Sequence, residues 1–345
     1  MGRGGYACQL GRSSCDEQGL ILDGVRGAVG EGRHQSVHVP QGMSLRDVST
    51  ESKKGIIMNL IKSIFISSYM MLIMGVTAYS GWMLYQGDNS LSWGGAMLTS
   101  LPMLMVLSQL MMLKNTARTS VHFPVPNLLG ASGVLLSAWA WINMDADILA
   151  PALSMIAWAG FWLYAYWFST FGGRQPSMKM IVGNKLPKFS VRGTDGAFVT
   201  SSQLTDKPAI LIFYRGNWCP LCMAQIKELV AHYKEISALG VRVAMIAPQP
   251  HSNTVELANK FDVKFDFLTD EGNAAARALG IENPNGIPMG MQALGYDSES
   301  VLPTVIITDR DGKIVWTHET DNYRIRPEPD LYLDILRRYG VVAGA

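Results

Sequence analysis

Apolar residues crowd the first half of the chain and thin out in the second, and the change in their rhythm divides the sequence. Residues 64–85, 93–113, 127–144 and 148–171 are four predominantly apolar spans. Most lie near the ~20 residues with which a helix crosses ~30 Å of hydrocarbon. Buried helices of a soluble protein rarely lack charges over such lengths, so the pattern predicts a four-helix transmembrane region over 53–172. Its third span is the shortest, and Pro102 can kink the second. Trp82, Tyr85, Trp93, Trp139, Trp141, Trp162, Tyr164, Tyr166 and Trp167 gather toward span ends, as interfacial aromatics do.

The second half has a shorter beat. Residues 208–214 form an apolar run led by a proline, the mark of a buried central strand, and 223–233 carry apolar residues at helical spacing. Strands are predicted at 241–247 and 265–268, and helices at 253–261, 273–279 and 331–339. Residues 303–308 and 313–317 make a hairpin around Asp309-Arg310-Asp311-Gly312. This alternation predicts an α/β domain over 183–345, a sheet covered by helices on both faces. The loop 283–300, with three glycines, two prolines and two methionines, either borders a site or is a surface insertion. Residues 173–182 read as a linker, with glycine for flexibility and Pro176 for a break.

Length supports this division: 345 residues suggest about two domains. A net charge of +1, without a basic run interleaved with aromatics, gives no reason to invoke nucleic acid. Residues 1–52 are rich in Gly, Arg, Ser and Gln without a period, and disorder is expected there. Cys8 and Cys15 lie in that tail, which reads as an unstructured extension or an over-long start ahead of Met43, rather than as a resolving-cysteine arm or a cleaved signal. Lysines and arginines flank the spans on one side only. Lys53, Lys54 and Lys62 precede the first, Lys114 and Arg118 separate the second and third, and Arg174 and Lys179 follow the fourth, whereas 86–92 and 145–147 have neither residue. The expected orientation is both termini, and the α/β domain, in the cytosol.

The candidate chemistry sits where the central strand gives way to a helix. Cys219 and Cys222 are three residues apart, so a helix beginning there brings them onto one face, and Pro220 fits its first turn. Unpaired N–H groups at a helix start favour a thiolate, and cysteines in such CxxC pairs commonly have depressed pKa values. Zinc is excluded for want of two further Cys or His ligands at suitable spacing. The spans contain neither cysteine nor histidine, so no thiol relay or bis-histidine haem is available inside the bilayer, and the membrane part is expected to be an anchor. His232, His251 and His318 lack the neighbours of a triad.

The segment Phe213-Tyr214-Arg215-Gly216-Asn217-Trp218-Cys219-Pro220-Leu221-Cys222 resembles the redox-active stretch of the thioredoxin-like superfamily, and more narrowly that of the alkyl hydroperoxide reductase/thiol-specific antioxidant (peroxiredoxin-like) family. The likeness runs from about Gly183 to the C-terminus and includes Asp195-Gly196 and the Leu302-Pro303-Thr304 strand, which is similar to the cis-proline strand facing the active site. It implies a thioredoxin-like fold, a redox-active disulfide without a bound cofactor or metal, a thioredoxin- or glutathione-type dithiol reductant, and a protein disulfide or peroxide as substrate. Trp218 before CxxC and Pro303-Thr304 follow the thioredoxin pattern. The proline and Ser/Thr of a peroxiredoxin are replaced by Arg215 and Cys219, and its arginine by Leu302, while Cys222 keeps the peroxidatic place. Arg215 could still stabilise an anion or the thiolate. The reading is a membrane-anchored thiol-disulfide oxidoreductase; the alternatives are a peroxiredoxin-like peroxidase and a non-catalytic membrane binding module. Cys219 is expected to be the exposed nucleophile, shielded by Trp218 and faced by Pro303.

Overall fold

The computed structural model describes residues 45–113 and 115–341. Most of the expected disordered tail, with Cys8 and Cys15, lies outside the described residues. Helix α1 (Leu45–Gln86) begins upstream of residue 53, where the apolar rhythm had placed the boundary. It is followed by α2 (Ser90–Leu113), α3 (Pro124–Asn143) and α4 (Leu149–Leu163), the last running into a π-helical turn, Tyr164–Phe168. Four segments, Ile57–Gln86, Ser90–Leu113, Pro124–Asn143 and Leu149–Phe168, are long and apolar enough to cross a membrane. The third starts earlier than its apolar run because Pro124 takes the first helical position, where its fixed φ is already suitable.

Small residues set the spacing of these helices. A Cβ on Gly95 of α2 would lie 2.6 Å from the Gly133 carbonyl of α3, so the two backbones approach too closely for any side chain there. The gap is bridged by hydroxyls: Thr99 Oγ1 donates to Gly130 O at 3.2 Å, and Ser137 Oγ donates to Ser92 O at 2.8 Å. Tyr69 of α1 lies against Gly160 of α4 and donates to Ala157 O at 2.9 Å.

The second half is a seven-stranded mixed sheet built from β1 (Ser190–Arg192), β2 (Phe198–Thr200), β3 (Ala209–Phe213), β4 (Arg242–Ala247), β5 (Asp266–Thr269), β8 (Thr304–Thr308) and β9 (Ile314–Glu319). The pair β6 (Glu282–Asn283) and β7 (Ser300–Val301) stands apart at the two ends of the long loop. The order is β2-β1-β5-β4-β3-β8-β9, with β3, β4 and β5 parallel and the other pairings antiparallel. Every residue of β3 is buried. Ile210 and Ile212 point into a core shared with α6 (Pro220–Ala231), α7 (Tyr233–Ala238), α8 (His251–Lys260) and α10 (Pro329–Arg338). Ala209, Leu211 and Phe213 point the other way, into a core that includes Leu204 of α5 (Ser201–Leu204) and Leu279 of α9 (Ala274–Leu279). Two covered faces are why the strand reads as a continuous apolar run.

The expected linker at 173–182 is pinned rather than flexible at its start. Gly173 N and Arg174 N donate to Asp321 Oδ1 at 3.0 and 2.7 Å, and the Arg174 guanidinium, its side chain buried, pairs with Glu319 at 3.4 Å. A buried cation requires such partners, and they fix the chain that carries it. Further ties join the apolar helices to the sheet domain. Arg324, fully buried after β9, donates to Thr119 Oγ1, Ser120 O, Val121 O and Ala165 O at 2.7–3.1 Å. Arg118, between α2 and α3, reaches Glu228 of α6 at 2.6 Å.

Candidate active site

β3 delivers the chain into Tyr214 and Arg215, and Gly216 then turns it with φ of 126°, a left-handed conformation that glycine adopts without strain. A side chain there would also crowd the Trp218 ring, at 3.0 Å. Asn217 N donates to Gln249 Oε1 at 2.8 Å, and the Asn217 amide donates to Asn253 O at 2.8 Å. This fixes the turn before Cys219, the N-cap of α6, and Pro220 at its first position. Cys222 lies one turn in.

Both cysteines are free thiols and both are buried, at 1% and 0% exposure. The expected exposed Cys219 is therefore corrected: side chains of the N-terminal apolar helices and of the 283–300 loop line the cavity beside it. The electrostatics also differs between the two sulfurs. Burial pushes the Cys222 thiol up, but the Cys219 S–H, the Arg326 guanidinium, the Arg215 backbone N–H and the Arg215 guanidinium outweigh it and hold it down at about 5. Burial and the neighbouring Cys222 anion drive Cys219 well above the ordinary thiol value. The two sulfurs are thus pushed in opposite directions, Cys222 toward the thiolate and Cys219 toward the thiol.

Arg326 is the nearest cationic partner. Its Nη2 donates to Cys222 Sγ at 3.4 Å, its Nη1 to Gln225 Oε1 at 2.6 Å and its Nε to Tyr323 O at 3.1 Å, while the Gln225 amide donates to the Tyr332 hydroxyl at 3.1 Å. Sequence reasoning missed it, because it lies 104 positions from Cys222. The one local signal was a pair of arginines, Arg324 and Arg326, in a proline-flanked stretch with Tyr323. Arg215, which sequence reasoning did select, lies between two rings, with its guanidinium carbon 4.5 Å from the Trp218 centroid and 5.1 Å from that of Tyr323. It donates to Gly286 O at 2.9 Å, and its Nε is buried without a partner.

Thr304 opens β8 opposite Phe213, the last residue of β3, and Pro303 precedes it. The Leu302–Pro303 peptide is trans, not cis as the resemblance implied. Arg174 occupies this strand end, donating to Pro303 O and Thr304 Oγ1 at 2.8 and 2.7 Å, and trans is the lower-energy isomer with no contact here to oppose it. Tyr323 and Arg326 stand beside the cysteine pair. His232 lies at the far end of α6, bonded to Glu228 O at 3.0 Å, and His251 bonds Thr269 Oγ1 at 3.1 Å; neither meets a cysteine.

Cys219, Trp218, Pro220 and Leu221 form one wall of a cavity of about 310 Å³, with Arg215 and Tyr323 beside them. The opposite wall comes from the apolar helices: Ile66 and Met70 of α1, Leu107 and Leu110 of α2, and Tyr164 and Phe168 after α4. Pro288, Met289 and Met291 place the 283–300 loop at its edge, so that loop borders the site.

Residues 182–317 match the AhpC/TSA family, and form a peroxiredoxin/thioredoxin-like domain. The chain is 27% identical over 125 residues to the chloroplastic peroxiredoxin Q of Triticum aestivum, covering 36% of this chain and 58% of that protein. It is 29% identical over 160 residues to the thiol-disulfide oxidoreductase ResA of Bacillus cereus, covering 45% of this chain and 76% of that protein. It spans about half the length (48%) of the peroxiredoxin Q of Oryza sativa subsp. japonica. Among solved structures it is similar to the peroxidoxin BcpB of Mycobacterium tuberculosis, with a TM-score of 0.39 and 20% identity over 46% of this chain and 97% of that one. The peroxiredoxin-like protein of Aquifex aeolicus gives a TM-score of 0.40 and 16% identity over 48% of this chain and 89% of that one.

Proposed function

We propose that the protein is a membrane-anchored thiol oxidoreductase in which Cys219 and Cys222 cycle between dithiol and disulfide, with the sheet domain on the cytosolic side. The observation that carries this reading is the pair of buried free cysteines at the start of α6 with the Arg326 guanidinium 3.4 Å from the Cys222 sulfur. Likeness to thiol-disulfide oxidoreductase ResA and to peroxiredoxin Q supports a thiol redox role.

Cys219 is the sulfur that lines the cavity, and it makes the first attack on a disulfide or peroxide. Its proton passes to the Cys222 thiolate as the new bond to sulfur forms. With a disulfide substrate, one substrate thiolate leaves and recovers that proton. Cys222 then attacks Cys219 in the mixed disulfide, expelling the second thiolate and closing the internal disulfide. An external dithiol of the thioredoxin or glutathione class reduces the pair again, and no bound cofactor is needed. Cys222→Ser is expected to accumulate a mixed disulfide or sulfenic acid on Cys219, mapped by peptide mass, whereas Cys219→Ser is expected to trap neither.

A second reading has its own support. Cys222 carries the charge, so a peroxidase using Cys222 as the attacking sulfur would find its thiolate already formed. Sulfenic acid on Cys222 of Cys219→Ser, formed with hydrogen peroxide as fast as the wild type loses thiol, would decide for it. The cytosolic orientation is tested separately with a membrane-impermeant maleimide on whole cells. Labelling of the reduced pair before lysis, in denaturant-free buffer, would reverse it.

A further inference from the structure

We infer that Lys62 and Arg215 together form a binding site for one small monovalent anion of the halide class, set where α1 meets the start of the 283–300 loop and coupled through Arg215 to the cysteine pair. The binding does not depend on the redox-pair reading above.

The first observation is a pair of buried cations without a counter-ion. Lys62 is 9% exposed and Arg215 7%, and a buried charge is costly unless it is paired. Among the described residues neither has a carboxylate within 4 Å. Asp321, whose charge acts on Lys62, lies beyond that distance, and its Oδ1 accepts from Gly173 N and Arg174 N instead. Lys62 Nζ donates to Thr170 O at 2.6 Å and stands 5.5 Å from the centroid of Trp167, and an ammonium has three N–H donors. Arg215 Nη2 donates to Gly286 O at 2.9 Å, while its Nε–H is buried without an acceptor.

The second observation is the space between them. Lys62 and Arg215 line one cavity of about 30 Å³, whose other polar walls are Asn59, Ser63, Asn283 and Asn285, and no described aspartate or glutamate lines it. The Asn59 amide is committed to Asn283 Oδ1 at 2.8 Å and Pro284 O at 2.7 Å, which fixes that wall. A volume of this size holds an occupant of about one or two waters. Water accepts from an N–H but brings no charge, so it leaves two like charges on one lining opposed. A halide accepts from both cations and offsets them, whereas sulfate and phosphate are too large for the space.

The third observation is where Arg215 leads. It also lines the larger cavity that Cys219 borders, and its charge acts on both sulfurs. An anion held against it offsets that charge, so occupancy is expected to disfavour the thiolate. Its guanidinium carbon is 4.5 Å from the Trp218 centroid, which places a fluorescent ring beside the site.

The test titrates the reduced full-length protein in nanodiscs with sodium bromide in place of sodium gluconate, at constant ionic strength, and follows tryptophan emission. Bound bromide is expected to quench along a saturating curve, where collisions alone give a linear one, and Trp218→Phe should lose the saturating part. Chloride should displace bromide and restore emission, and sulfate should not. Lys62→Met should weaken bromide binding about tenfold or more, the effect of losing one hydrogen bond to a charged group. Lys185→Gln, at an exposed lysine of the sheet domain, should leave it unchanged. The wild type supplies a readout that needs no variant to fold: its melting temperature should rise with the logarithm of chloride concentration relative to gluconate. Alkylation of the reduced pair by N-ethylmaleimide at about pH 5, near the Cys222 midpoint, should slow as chloride fills the site. Linear quenching, a chloride effect matched by sulfate, or equal melting temperatures in chloride and gluconate would mean that the cavity holds water only, and would overturn the proposal. Saturable binding with an unchanged alkylation rate would overturn the coupling to the pair.

Discussion

Replacing Arg326 by methionine removes the cation that faces Cys222 while keeping a side chain of similar length. At the observed 3.4 Å, and with an effective dielectric of about 20, the attraction between guanidinium and thiolate is about 5 kcal/mol. At 1.36 kcal/mol per pH unit this moves the thiolate midpoint upward by about 3.5 units, from about 5 toward the ordinary thiol value of about 8.5. The figure is an upper one, since the Arg215 backbone N–H and guanidinium remain. The thiolate fraction at neutral pH then falls from nearly complete to a few per cent. The assay is a pH titration of thiolate ultraviolet absorbance on the reduced protein, with Cys222→Ser subtracted. Arg326→Lys keeps the charge without the fork to Gln225 and Tyr323, and its midpoint should lie between the two. A midpoint for Arg326→Met within about one pH unit of the wild type would refute the assignment of Arg326 as the main cation on this sulfur.

Three other outcomes are expected. Because the folded midpoint of Cys222 lies below the unfolded one, its contribution to stability is complete above about pH 8.5 and is lost as pH falls through about 5. The melting temperature of the reduced protein, relative to Cys222→Ser, should climb between those values, and it should flatten or turn down above them, where the raised Cys219 begins to subtract. Gly133→Ala, at the close contact of α2 and α3, should lower the melting temperature in detergent by the equivalent of about 1–3 kcal/mol; an unchanged melting temperature would deny the close approach. Arg324→Met should strand the carbonyls of Ser120, Val121 and Ala165 at a cost of about 3 kcal/mol, and hydrogen exchange should rise at 117–123 and 164–170. No rise at either segment would mean that the junction is held by something else.

The sequence disclosed those parts whose cause is local. A run such as Ala209–Phe213, closed by a turn and a Pro-led helix, announces a central strand with Cys219 at the helix start, because burial on both faces and proline geometry act over a few residues. The strands β1 and β2 gave no such signal, being three residues long and partly exposed. The electrostatics of the cysteine pair was hidden for a different reason. Arg326 reaches Cys222 only through the path of the chain after β9, and no periodicity encodes a contact across 104 positions. The thiolate was therefore expected on Cys219, by the rule for an exposed helix start, whereas burial pushes that thiol up and two arginines face the pair. Composition showed apolar helices, but their side chains over Cys219 depend on the Arg324 and Arg118 contacts, which join residues far apart in sequence. The role of Pro303 was carried over from a resemblance, and the hydrogen bond that its carbonyl accepts from Arg174, on what had read as a linker, had no sequence signal.

The central claim is that Cys219 and Cys222 are one redox unit, and the most direct measurement is peptide mapping of the full-length protein after graded oxidation in nanodiscs. Thiols are blocked at each oxidant dose, and the Cys219–Cys222 peptide is quantified with and without a dithiol. One internal disulfide per chain should form at one equivalent of oxidant, with both thiols lost in step and both restored by the dithiol. Retention of both thiols at several equivalents, or a disulfide that joins either one to another cysteine, would contradict the account.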